Sequence, residues 1–135
     1  MVEDIRSAMA ARIRSLPWMS EATKGFALAK VEAALRGAGM TPAGVYDDIP
    51  RDSDVRSVER GAELARTSGA DCLVALGGGS VMDTAKVMNI LLGAGGALLD
   101  HQGINVIAGP LLPLLSLPTT AGTGSEVSRF AVIKD

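Results

Sequence analysis

The chain has 135 residues, of which 47% are hydrophobic and 21% charged, with a formal net charge of −2. That balance suits one globular domain with a real core and excludes a disordered chain. It also leaves no basic face for nucleic acid or an anionic membrane, and 3% aromatic residues give bases little to stack on. The lone cysteine, Cys72, precludes an intrachain disulfide, and its place in an apolar run predicts a buried, inert thiol. The opening MVEDIRSAMAARIRSL mixes acids with bases and has no apolar core, so no signal peptide is expected. The stretches VMNILLGAGGALL and INVIAGPLLPLLSL are too short to cross a bilayer, so a soluble, cytoplasmic protein is expected.

Residues 3–15 predict a helix with Ile5, Met9, Ile13 and Leu16 on one stripe, ended by Pro17. Ser20 reads as the N-cap of a second helix, with Glu21 in its first turn, Phe26, Ala29, Ala33 and Leu35 near one face, and a stop at Gly37 or Gly39. AGVY, residues 43–46, is a short strand candidate, followed by the polar loop DDIPRDSD. Ser53 or Asp54 fits the cap of a third helix running to about Ser68, with Val55, Val58, Ala62, Leu64 and Ala65 as its apolar set and Gly69 just past its end.

DCLVAL, residues 71–76, is a continuous apolar run of strand length, as expected of a strand buried on both faces in a parallel sheet. The loop GGGS follows, then a helix over about Val81–Leu92, then the break GAGG. PLLPLLSLP predicts another buried strand, TTAGTGSE a loop, and RFAVIKD a last strand. Alternation of this kind predicts an α/β fold, a parallel Rossmann-like sheet with flanking helices.

In such a sheet ligands bind at the carboxyl ends of the strands, where GGGS lies. Glycine lets a ligand approach the main chain, and the helix that follows offers unpaired N–H groups and the positive end of its dipole. A pyrophosphate there would be held mainly by backbone, with the Ser80 hydroxyl added. The loop matches neither G-x-G-x-x-G, because Met82 stands where the third glycine would be, nor a P-loop. A tight βα turn, with Ser80 as N-cap and Asp83 as its reciprocal partner, fits the same residues. Asp83 either caps the helix or points its carboxylate at a ligand, and Lys86 lies within reach of an ordinary ion pair with it. PTTAGTGSE, residues 118–126, ends the next strand at the same edge with three threonines, two glycines and a serine. It fits either a second grip on a pyrophosphate or a solvated turn in which Ser125 caps a short helix.

GGGSVMDTAK and PLLSLPTTAGTGSEVSRFAVIKD, with their spacing, resemble the iron-containing (group III) alcohol dehydrogenase family, whose pattern is GGGSxxDxxK, then PTTxGTGSE, then a strand of AVIxD type. VYDDIPRDSDVRSVERGAELARTSGADCLVAL resembles the segment that precedes these motifs in the family, so the likeness runs from about residue 22 to 135. It implies a dinucleotide-binding domain over residues 22–135 after an N-terminal helical segment at 1–21, which is atypical of the family. It further implies a NAD- or NADP-dependent oxidoreductase acting on small alcohols and aldehydes. Gly78, Gly79 and Ser80 would take the pyrophosphate, Asp83 would lie toward the nicotinamide, and Thr119, Thr120, Thr123 and Ser125 would contact the cofactor from the second loop.

Family members use iron or zinc to polarise the substrate oxygen, held by an aspartate and three histidines in an all-helical C-terminal domain. The resemblance places that domain beyond this chain, so no catalytic and no metal-binding residue is expected in it. The only histidine, His101, reads as a surface residue. The chain is thus expected to be the cofactor-binding half of such an enzyme and inactive alone. The alternatives are a nucleotide- or phosphate-binding module without redox chemistry, including a subunit that works through a partner, and a remnant whose uncovered face favours self-association.

Overall fold

The structure, a computed structural model, describes residues 33–41, 43–104 and 106–135. The helix expected over residues 3–15, the start of the second helix with Ser20, Phe26 and Ala29, and the segment 1–21 lie outside the described residues. The chain divides into two compact units, one drawn from Met1–Asp47 with Ser68–Ala70 and the other from Asp48–Thr67 with Asp71–Asp135.

In the first unit, residues 33–37 are helical and bury Leu35. The helix stops as its glycines predict. Gly39 adopts φ +72, the Met40 N–H reaches back to the Leu35 carbonyl at 3.1 Å, and the Gly39 N–H to that of Arg36 at 3.0 Å. This is a Schellman ending, which consumes carbonyls a helix otherwise leaves orphaned. AGVY, expected as a strand, is not one. With Gly44 inside a four-residue run, it joins no ladder among the described residues.

The second unit carries helix α1 (Val55–Thr67), strand β1 (Leu73–Gly77), helix α2 (Gly79–Ala94), a 3₁₀ turn (Leu98–His101) and strand β2 (Leu114–Pro118). β1 and β2 pair in parallel, Leu73 opposite Leu114 and Gly77 opposite Pro118. The expected parallel α/β arrangement is present, with the strands only half-buried rather than covered on both faces. The strand expected from RFAVIKD shrinks to one bridge, Lys134 with Asp54, because its backbone bonds go to Ser53 and Val55 rather than to a strand edge.

α2 organises this unit. Met82, Ala85, Met88 and Asn89 are buried along one side and Thr84, Val87 and Leu91 along another, as in a helix covered on more than one face. Met82 and Ala85 pack with Ala75 of β1, and Leu114 of β2 closes on the same cluster. α1 lies against α2 and buries small residues, Ser57, Gly61, Ala62 and Ala65, around Val58. Asn89 ties α2 to the chain entering β2, its amide donating to the Leu112 carbonyl at 2.8 Å and accepting the Leu112 N–H at 2.9 Å. Cys72, just before β1, is half-buried, and burial together with the charge of Asp71 pushes its thiol pKa up. The thiol is thus less enclosed than its apolar run predicts, and the raised pKa favours its protonated form.

Of the two residues offered as cap of α1, Asp54 serves, its carboxylate accepting the Ser57 N–H at 2.7 Å. That bond from the Ser57 backbone, with the charges of Arg60 and Arg56 adding to it, holds its pKa below the ordinary 3.8. A depressed carboxylate pKa stabilises the fold above the unfolded-state value and loses that contribution as pH falls through the folded-state value. Asp54→Ala is therefore expected to lower the thermal midpoint at neutral pH, with Asp54→Asn milder. The gap between wild type and the alanine variant should close as the pH of the melts is taken below 3.8.

Candidate functional site

Parallel pairing brings the ends of both strands to one edge. The Thr119 N–H donates to the Gly77 carbonyl at 2.8 Å, so the ladder continues one step past β2 and ties the start of the second loop to that of the first. Side-chain room at the glycines then sets how the loops meet. A Cβ on Gly77 would lie 2.6 Å from Val81 Cγ2 and 2.7 Å from Val81 Cβ, so this position admits no side chain. A Cβ on Gly78 would lie 3.1 Å from Thr120 Oγ1, and one on Gly79 would lie 3.4 Å from Ser125 Oγ and 3.7 Å from Thr123 Cβ. The hydroxyl-bearing loop thus rests directly against the bare backbone of Gly78 and Gly79.

α2 opens at Gly79, with Gly78 as an extended N-cap that makes no side-chain bond. The first bond back into the helix runs from the Met82 N–H to the Gly78 carbonyl, at 3.1 Å. The N–H groups of Gly79, Ser80 and Val81 precede it and have no partner within the helix, at the end where the dipole amounts to roughly half a positive charge. The capping alternative, Ser80 with Asp83, is overturned, since Ser80 sits one residue inside the helix and Asp83 a turn further on. The helix is also longer than the expected Val81–Leu92 at both ends.

Ser80 Oγ accepts the Asp52 N–H at 3.3 Å. Asp52 is the one non-glycine described with positive φ, +56. Sequence reading missed its place here, and the available signal was an Asp in a polar loop, a residue type that tolerates the left-handed region. Behind the turn, the buried hydroxyls of Ser53 and Thr84 bond to each other, and Thr84 Oγ1 donates to the Ser80 carbonyl at 2.8 Å. The first turn of α2 is thereby braced from within.

In that second loop Gly122 and Gly124 take φ +89 and +68. The Gly124 carbonyl accepts the N–H groups of Val127 and Ser128, closing a single helical turn. Ser125 does not cap it. Its own N–H is taken by Thr123 Oγ1 at 3.4 Å, and the Thr123 hydroxyl lies 3.4 Å from Glu126 Oε2. Thr119, Thr120 and Thr123 are exposed and Ser125 half-buried.

Asp83 and Lys86 pair at 3.3 Å with side chains only 14% and 15% exposed, so this is not an ordinary surface pair. Asp83 Oδ2 also accepts the Val132 N–H at 3.1 Å, and Lys86 Nζ donates to the Phe130 carbonyl at 2.7 Å. His101, expected on the surface, is half-buried and bonds the Gly95 carbonyl through Nε2 at 2.7 Å. Among the described residues no group of three or more His, Cys, Asp or Glu is placed to hold a metal ion. The donors among the described residues do not fit iron or zinc.

A family model for iron-containing alcohol dehydrogenase matches residues 19–135. Alcohol dehydrogenase 4 of Schizosaccharomyces pombe is 38% identical over 106 residues, which are 78% of this chain and 25% of that protein. A NAD-dependent methanol dehydrogenase of Bacillus methanolicus is 37% identical over 106 residues, 78% of this chain and 28% of that one. The crystal structure of sulfoacetaldehyde reductase from Bifidobacterium kashiwanohense in complex with NAD+ superposes with a TM-score of 0.68 at 31% identity, covering 79% of this chain and 28% of the other. The chain therefore spans about a quarter of the length of the curated relatives it matches. No described helix is long and apolar enough to cross a membrane.

The steric reading of Gly77 can be checked directly. Gly77→Ala should destabilise the fold by ~1–3 kcal/mol in urea unfolding, the range for forcing a methyl into a filled site. Adding Val81→Ala should not restore it, because the obstruction includes the Val81 Cβ itself.

Proposed function

Since the chain belongs to the iron-containing alcohol dehydrogenase family, we propose that its paired loops bind the pyrophosphate of a nicotinamide dinucleotide, NAD or NADP, for the interconversion of small alcohols and aldehydes. The observation that carries this reading is the contact of the hydroxyl loop with Gly78 and Gly79 at the open first turn of α2. Backbone N–H groups of Gly79 and Ser80 would donate to phosphate oxygens, with the dipole favouring the negative charge. The hydroxyls of Ser80, Thr119, Thr120, Thr123 and Ser125 would supply further donors from both sides. Asp83 belongs to the site in this reading, at the border where the nicotinamide side would lie. A bound nicotinamide supplies the hydride acceptor or donor; these residues bind and orient it. NAD is favoured by the NAD-dependent methanol dehydrogenase and by the reductase solved with NAD+.

No step through a metal follows from the described residues, whose donors do not fit one. A second reading, a nucleotide- or phosphate-binding module without redox chemistry, draws on the same loop contact, because backbone N–H groups and hydroxyls suit the phosphates of any nucleotide. Titration calorimetry with NADH, NADPH, ADP and inorganic phosphate separates the two. A dinucleotide should bind more tightly than ADP or phosphate, and equal affinities would remove support for the dehydrogenase reading.

Gly79→Ala is the sharper probe. Its Cβ meets only ordinary contacts in the folded chain, the nearest at 3.4 Å, yet it occupies the surface where the pyrophosphate would lie. Melting temperature should be preserved while dinucleotide affinity falls by about tenfold or more, roughly the loss of one charge-assisted bond. With ferrous or zinc ion, NAD and a simple alcohol, the chain alone should produce no change in nicotinamide absorbance, and steady turnover would refute the assignment of this chain to cofactor binding alone.

A further inference from the structure

We propose that Lys86 and Asp83 are positioning residues that latch the far end of the hydroxyl loop to α2 and so set its distance from Gly78 and Gly79. The proposal rests on the dinucleotide reading for its functional consequence and on the geometry alone for the latch. One end of the loop is fixed by the sheet, through the Thr119 bond to Gly77. The other end has little apolar anchorage, since Val127 is 86% exposed, Phe130 56% and Val132 79%. Ala131 and Ile133 are half-buried, and polar bonds from α2 grip the residues around them. Lys86 Nζ meets three acceptors, Asp83 Oδ1 and Ser128 Oγ at 3.3 Å and the Phe130 carbonyl at 2.7 Å. An ammonium has three donors, so this set uses all of them. Asp83 completes the clasp by accepting the Val132 N–H on its second oxygen.

Two side chains one helical turn apart thereby grip the chain at residues 128, 130 and 132, just past the single turn that closes on Gly124. Thr123 and Ser125, which face Gly79, lie between these two fixed ends. The next restraint beyond the clasp is the backbone bridge at Lys134. Releasing the clasp would remove the polar bonds that α2 makes to residues 128, 130 and 132, between the Thr119 bond and that bridge.

The test is amide hydrogen exchange by NMR together with NADH binding, in wild type, Lys86→Met and Lys86→Arg. Lys86→Met should lower exchange protection at Val132, Val127 and Ser128 by about tenfold while leaving Leu73 in β1 unchanged, the pattern of a local rather than a global opening. NADH affinity should fall by about tenfold in parallel, a loss comparable to one bond to a charged group. Lys86→Arg keeps a cation with several donors and should restore both quantities to within about threefold. If Lys86→Met fails to fold because Asp83 is left enclosed and unpaired, the double variant Lys86→Met with Asp83→Asn removes both charges and is read in the same two ways.

Unchanged protection at Val132 and Ser128 would overturn the latch, whatever happens to binding. Lost protection with undiminished NADH affinity would overturn its positioning role. A wild-type chain that binds no NADH would overturn the dinucleotide reading, and the exchange data would still decide the latch.

Discussion

Parallel pairing of β1 with β2 is the constraint from which the site follows. Two strands running the same way must end at the same edge, and the chain between them must cross back, here through α2 and the 3₁₀ turn. The register puts Gly77 opposite Pro118, so each strand releases its loop at the same level. The bond from Thr119 to Gly77 carries that alignment one residue into the second loop. An antiparallel pair would have sent the threonine-rich segment to the opposite end, away from the open turn of α2.

The glycines then do two different things, which their type alone does not distinguish. Gly77 is required because Val81, one turn into the helix, already fills the space a Cβ would need. Gly78 and Gly79 adopt no left-handed backbone; their bareness permits the close approach of Thr120, Thr123 and Ser125. This edge gathers the N–H groups that open α2 and the hydroxyls of Thr120 and Ser125. That composition suits an anion with many acceptor oxygens.

Local order was well legible in the amino-acid sequence. The unbroken apolar run ending in glycine marks β1, the 3.6-residue pattern after DSD marks α1, and Gly39 and Gly69 stop helices at φ +72 and +68 as expected of that residue. The two motifs marked eight candidate residues, of which Thr120, Thr123 and Ser125 lie against Gly78 and Gly79. What stayed hidden depends on partners distant in the chain. Ser80 has the right chemistry for an N-cap, but its hydroxyl is engaged by Asp52, and the helix starts before it. AGVY and RFAVIKD have strand composition, yet a strand exists only with a neighbour to pair with, and the described structure gives RFAVIKD a single bridge. Neither Asn89 clasping Leu112 nor Lys86 reaching Phe130 leaves a local signature, because a polar residue on a helix reads as solvent-facing until the fold covers it.

α2 is therefore more than the element after the glycine loop. Its first turn presents backbone to the site, its apolar faces anchor the unit, Asn89 holds the entry to β2, and Asp83 with Lys86 holds the exit from the second loop. An enclosed ion pair is a poor way to gain stability, since desolvating two charges offsets much of their attraction and apolar side chains of similar size commonly do as well. A charged pair does what an apolar contact cannot, which is to select particular backbone groups by direction. Val132 presents an N–H and Phe130 a carbonyl, and only a side chain of matching polarity can hold each one. The pair is thus explained by the placement of a segment that has little apolar surface to place it otherwise, and the position of the threonine-rich loop is set from α2 at its far end as it is set from the sheet at its near end.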